Sequence, residues 1–227
     1  MSKEGHGITM QYQAVFFDFD YTLADASEAI VIGFEYAFAR MGLPKPEAEA
    51  VRRTIGMVLQ DGYTALTGDD RPEQREEFRR LYVEKANPMQ VACTRLFPGA
   101  VELLTALHEA GVPAGIVSTK RSDTLRAVLE PRGVLPLLVS ITGGEQVSSP
   151  KPDPEGLLRA VAGLGLAPEQ VLFCGDTVID AETARRAGCP FCAVLNGTTT
   201  EADFQARALP CVHTAPDLWD LKHWLGL

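Results

Sequence analysis

Short apolar runs alternate with stretches of helical spacing from Phe97 onward, and this alternation narrows the possible folds more than any other feature of the chain. Runs at 114–117, 137–141, 171–174 and 191–195 are apolar or nearly so, as expected of strands covered on both faces. Between them lie helical segments: one opened by Pro98 and stopped at Gly111, then 122–131, 154–163 and 180–187. Cys211-Val212-His213 reads as a short edge strand and 216–225 as a closing helix. Strands separated by helices form a parallel sheet with helices on both faces. The expected fold class is α/β, a Rossmann-like three-layer parallel sheet.

One further strand, Ala14-Val15-Phe16-Phe17, stands apart near the start. The block that follows it carries no convincing strand. Ile30, Phe34, Ala37 and Phe38 recur at three- and four-residue spacing in a helix over 27–41, with further helices at 47–55, 57–66 and 72–85. The block reads as a helical insert between the first and second strands. The expected division is a core of 1–23 plus 96–227 and an inserted helical domain of 24–95.

Asp18 and Asp20 follow the first strand at once. Side chains at i and i+2 point the same way along a strand, so both acids project from one lip of the sheet. Like charges that close resist ionising together unless a cation or a shared proton intervenes. Such a pair is costly for a fold and useful for chemistry. Ser118 and Asp176 end later strands in the same manner, the latter after Gly175. In open parallel sheets the ligand crevice lies beyond the carboxyl ends of the strands.

Composition removes several classes of function. The formal charge of −9 argues against nucleic-acid binding, although a local lysine and a metal ion can still hold a small phosphate. No apolar stretch approaches the ~20 residues of a membrane span. Met1-Ser2-Lys3-Glu4-Gly5-His6-Gly7 lacks the apolar segment of a secretory signal, so a cytoplasmic address is expected. Five scattered cysteines, Cys189 and Cys192 among them, read as buried thiols rather than a disulfide framework. His213 and His223 have no partner acid at ligand spacing.

Asp18-Phe19-Asp20-Tyr21-Thr22 resembles the first motif of the haloacid dehalogenase (HAD) superfamily, Asp-x-Asp-x-Thr, with Tyr21 where members usually carry Gly. Ser118 stands in the place of the second motif. Lys151, in Pro150-Lys151-Pro152-Asp153-Pro154, resembles the third, and Gly175-Asp176-Thr177-Val178-Ile179-Asp180 the fourth. The resemblance implies a HAD core with a helical cap, and a Mg2+-dependent phosphatase acting on a small phosphorylated metabolite. It implies that Asp18 is the nucleophile and a metal ligand. It further implies that Asp20 is the acid and base, with its backbone carbonyl on the metal. Asp176 is a further ligand, and Asp180 either binds the metal or orients Lys151.

The same resemblance implies that Lys151 and Ser118 hold phosphoryl oxygens, with Thr119 the alternative hydroxyl and Thr22 binding phosphate or bracing the loop. Arg53-Thr54-Ile55-Gly56-Met57 resembles a substrate-facing cap loop, in which Arg53 or Arg52 meets a substrate carboxylate. Asp20 sets the chain apart from the dehalogenases, which lack a second acid, and from the phosphonatases, which usually do. The layout is most like phosphoglycolate phosphatase. A phosphotransferase of the β-phosphoglucomutase type and a silent phosphate binder are the alternatives, the second resting only on Tyr21 crowding the pocket mouth. A monomer or homodimer is expected.

Overall fold

The computed structural model describes residues 11–227, so the reading of the first seven residues lies outside the described part. In chain order the elements are β1 (Ala14–Phe17), β2 (Ala24–Asp25), α1 (Ser27–Arg40), α2 (Ala48–Arg52), α3 (Leu59–Thr67), α4 (Pro72–Cys93) and β3 (Arg95–Leu96). They continue with α5 (Ala100–Glu109), β4 (Ala114–Val117), α6 (Ser122–Leu129), β5 (Ser140–Thr142), α7 (Glu155–Gly163), β6 (Val171–Gly175) and α8 (Val178–Ala187). The last are β7 (Phe191–Val194), α9 (Glu201–Ala206), β8 (His213–Ala215) and α10 (Leu218–Trp224).

Six strands form one parallel sheet in the order β5-β4-β1-β6-β7-β8. Strand β1 is central, and all four of its residues are buried. Period-2 alternation sends Val15 and Phe17 into one apolar cluster, with Leu103, Leu104 and Leu107 of α5 and Leu125 of α6. Ala14 and Phe16 enter the opposite cluster, with Leu157 of α7 and Ala181 and Ala184 of α8. A strand sandwiched in this way must be apolar at every position, which is why these runs are continuous rather than alternating.

The inserted block has an apolar cluster of its own, built on Phe34, Phe38, Tyr63, Phe78 and Tyr82. Rings of Phe34 and Phe78 lie 4.9 Å apart, as do those of Tyr63 and Phe78. The chain enters and leaves this cap through β2 and β3, which pair antiparallel. These two-residue strands were not expected, and they mark the base of the cap. Helix α4 runs on to Cys93, beyond the expected end near residue 85, despite Pro88 in its interior. Packing of Ala86 and Gln90 offsets the single backbone bond that proline forfeits.

Other boundaries shift for local reasons. The run at 137–141 becomes a strand only from Ser140, because Pro136 sits in a 3-10 turn over Leu135–Leu137. Helices α2 and α3 are shorter than expected, with a turn through Gly56 between them. The edge strand lies at His213–Ala215 rather than 211–213, and α9 is an additional helix. All five cysteines are free; burial pushes the Cys189 thiol up to about 12 and the Cys211 thiol to about 11. His213 does have an acid partner: its Nε2 lies 2.5 Å from Asp220 Oδ1 while the ring stacks on Trp224, pinning β8 to α10. No helix among the described residues is long and apolar enough to cross a membrane.

Candidate active site

The crevice lies where the sheet topology puts it. Strand β1 pairs with β4 on one side and β6 on the other, so Asp18, Ser118 and Asp176 leave three adjacent strand ends. Asp18 is 1% exposed and Asp176 2%, and Lys151 arrives from the loop before α7. The Lys151 Nζ donates to Asp18 Oδ1 and to Asp180 Oδ1, each at 2.6 Å.

Asp180 is aimed by the start of its own helix. Thr177 is the N-cap of α8, and its Oγ1 accepts from the Asp180 N–H. In return the N–H and Oγ1–H of Thr177 donate to Asp180 Oδ2. This reciprocal capping box satisfies two orphan donors of the helix and leaves Oδ1 facing Lys151. A Cβ on Gly175 would lie 2.4 Å from that of Asp180, so only glycine lets β6 pass so close. Thr22 Oγ1 donates to Asp176 Oδ1 at 3.2 Å.

Asp18, Asp176 and Asp180 bring carboxylate oxygens within 4.8 Å of one another. Burial is the main reason that Asp18 is raised to about 6; Lys151 opposes the rise, and Asp180 and Asp20 add to it. Asp176 is pushed well above the usual carboxylate range, again by burial first and then by Asp180 and Asp18. Burial disfavours the Lys151 charge, yet its two carboxylate partners hold it above its ordinary value. Asp18 Oδ2 is buried with no hydrogen-bond partner. An orphaned oxygen among three crowded carboxylates fits a hard divalent cation, which would take that lone pair and relieve the repulsion.

Linkage turns the Asp18 shift into a measurable slope. The unfolded carboxyl titrates near 3.8 and the folded one near 6 without metal, so between these values only the folded state keeps the proton. Stability from this group is full below the lower value and is lost as pH rises through the window, about 3 kcal/mol in all. The gain in stability on adding a divalent cation is therefore expected to grow from pH 4 to pH 7. Thermal unfolding with and without chelator measures it; a gain independent of pH would contradict the carboxylate cluster.

Asp20 turns its carboxylate away from the cluster. Its Oδ1 lies 2.9 Å from Lys120 Nζ without hydrogen-bond alignment, and Lys120 donates in turn to Gln90 Oε1 of α4 at 2.6 Å. Neither Lys120 nor Gln90 was singled out in the sequence. The signal for Lys120 was available, since it stands two residues beyond Ser118 as Asp20 does beyond Asp18. Gly197 was also missed: a Cβ there would come within 2.1 Å of Asp176 Oδ2.

Ser118 is buried, its Oγ accepting from the Lys120 N–H, and Thr119 donates to the Gly56 carbonyl at 3.4 Å across the cap seam. A cavity of about 130 Å³ opens between cap and core, lined by Asp20, Thr119 and Lys120 below and by 54–57 of the cap loop. Arg53 is the exception in that loop. Its side chain is 73% exposed and pairs with Glu49 at 3.6 Å, so it does not line the cavity. Tyr21 does not line it either. It adopts φ 60, the left-handed conformation that explains a usual glycine there, and is buried with its phenol near Ser27 of α1. Tyr21 thus gives a silent binder no support at this cavity.

The model of the haloacid dehalogenase-like hydrolase family matches residues 15–194. The phosphoglycolate phosphatase of Salmonella typhi is 30% identical over 199 residues, covering 78% of this chain and 79% of its own. That of Rhodospirillum rubrum is 28% identical over 222 residues, covering 94% and 91%. A crystal structure of a Bacteroides fragilis protein, described as a haloacid dehalogenase-like hydrolase, superposes with TM-score 0.89 at 40% identity, covering 92% of this chain and 99% of its own. The chain belongs to the haloacid dehalogenase-like hydrolase family, as an enzyme of its phosphatase branch.

Proposed function

We propose that the protein is a Mg2+-dependent phosphatase that hydrolyses a small phosphate monoester through an aspartyl-phosphate on Asp18. The observation that carries this reading is the pairing of two differently placed acids. Asp18 lies in the carboxylate cluster with an unpartnered oxygen, and Asp20 faces the cavity beside Lys120. Asp18, Asp176 and Asp180 are the residues that would hold Mg2+, which would supply neutralisation of the phosphoryl charge.

Asp18 attacks phosphorus in line, and the bond from phosphorus to the alcohol oxygen breaks. Asp20 gives its proton to that oxygen, and the alcohol departs. The resulting Asp20 carboxylate then takes a proton from water as the water attacks the phosphoryl group, freeing Asp18 and inorganic phosphate. Lys151 and Ser118 hold the phosphoryl oxygens as they gain charge, while Asp180 keeps Lys151 in place. The phosphoglycolate of the relatives is one candidate among small monoesters.

Release of phosphate from p-nitrophenyl phosphate is expected with Mg2+ and lost with chelator. Asp20→Asn should still accept the phosphoryl group but lose roughly 10²–10⁴ of steady-state turnover, as removal of a general acid and base does. Unchanged turnover would remove Asp20 from the reaction. Products carrying phosphate on a second sugar hydroxyl, with no net release, would instead mark a mutase.

A further inference from the structure

The cavity beside Asp20 is where the departing alcohol must sit, since Asp20 delivers its proton there. Ile30, Phe34, Leu59 and Tyr82 line its cap side, beside the polar Thr54, Asn87 and Gln90. Its volume of about 130 Å³ is close to the ~150 Å³ of a cavity that takes up benzene. The CH2–carboxylate part of glycolate would leave much of that space empty.

Charge points the same way. Two cations line the cavity, and both are engaged. Lys120 Nζ is held by Asp20 at 2.9 Å and Gln90 at 2.6 Å. Arg121 pairs with Asp123 at 2.7 Å, with half of its side chain in solvent. Arg52 and Arg53 do not line the cavity. With Asp20 protonated for its role as acid, Lys120 stays bonded to Gln90, so a carboxylate entering the cavity must displace Gln90 and shed its own water among Ile30, Phe34, Leu59 and Tyr82. An uncharged apolar body needs neither.

We infer that the alcohol released by this enzyme carries an uncharged, apolar body of about five or six carbon atoms, and that phosphoglycolate is a poor substrate. The inference rests on the phosphatase reading and names the substrate class of the same site.

Values of kcat/KM for n-pentyl phosphate, ethyl phosphate and phosphoglycolate, with saturating Mg2+, test it. The two alkyl esters leave as alcohols of similar acidity, so their difference reports the pocket. Pentyl phosphate is expected to exceed phosphoglycolate by at least roughly tenfold, with ethyl phosphate between them. Equal or better turnover of phosphoglycolate overturns the inference. Leu59→Lys, at a half-buried wall position, supplies an unengaged cation and should move the ratio toward phosphoglycolate by roughly tenfold; an unmoved ratio counts against the charge argument.

Should no ester turn over, p-nitrophenyl phosphate included, the phosphatase reading fails by itself. Calorimetric binding to the Asp18→Asn protein then decides the pocket separately. Tighter binding of pentyl phosphate, with a negative heat-capacity change, supports the apolar occupant, and tighter binding of phosphoglycolate refutes it.

Discussion

The Asp18→Asn protein is expected to fold and to release no phosphate. A carboxamide has the shape of the carboxylate but is no nucleophile, so turnover should fall by at least ~10³-fold. Stability should change little, because two effects oppose each other. The amide NH2 leaves a buried donor with no acceptor, a loss of about 1–3 kcal/mol. Against this, one charge disappears from a cluster in which Asp176 and Asp180 repel it and burial penalises it. The Lys151 bond to Oδ1 survives in weaker form, since an amide oxygen still accepts from an ammonium, and Asp180 remains its charged partner. Phosphate release and thermal unfolding, measured on the same preparation, separate the two outcomes. A variant that is folded and still active would leave the aspartyl-phosphate route without its nucleophile.

Lys151→Met should cost both activity and stability. The Lys151 side chain is 5% exposed, and its ammonium is shared by Asp18 and Asp180. Removing one member of a buried ion pair strands the charge that remains, typically at about 3–5 kcal/mol. For a chain of this size that corresponds to a drop of roughly 6–20 °C in Tm. The loss should be largest in chelator and smaller with Mg2+, because a cation among the same carboxylates replaces part of the missing charge. Denaturant unfolding in both conditions reads the difference. A loss that Mg2+ leaves untouched would mean that Lys151 acts through packing alone.

The parts of this molecule that could be read from sequence are those in which local pattern and tertiary environment agree. β1, β4, β6 and β7 are buried on both faces, so their apolar runs carry the signal without help from neighbours. Asp18, Ser118 and Asp176 stand out because a polar group directly after such a run has few structural uses. β2 and β3 escaped because two residues have no periodicity; they are strands only because the cap crossings pass side by side. Pro136 and Pro88 act in opposite senses. The first delays a strand, whereas the second sits inside a helix that packing sustains. Gln90 could not be found, since a glutamine in a charged helix gains its role only when Lys120 arrives from another element. Arg53 shows the converse, a residue with suitable chemistry that the turn after α2 leaves in solvent.

The cap's aromatic cluster is separate from the two that flank the sheet, and this division has an evolutionary consequence. Ile30, Phe34 and Tyr82, which shape the alcohol cavity, belong to the cap's cluster, whereas Asp18 and Asp176 leave strands anchored in the sheet. Drift in the first set can retailor the preferred ester while the second set, under different constraint, keeps the reaction intact. A descendant enzyme could therefore acquire a new metabolite by lid mutations alone, provided that Gln90 and Gly56 still meet Lys120 and Thr119 at the seam.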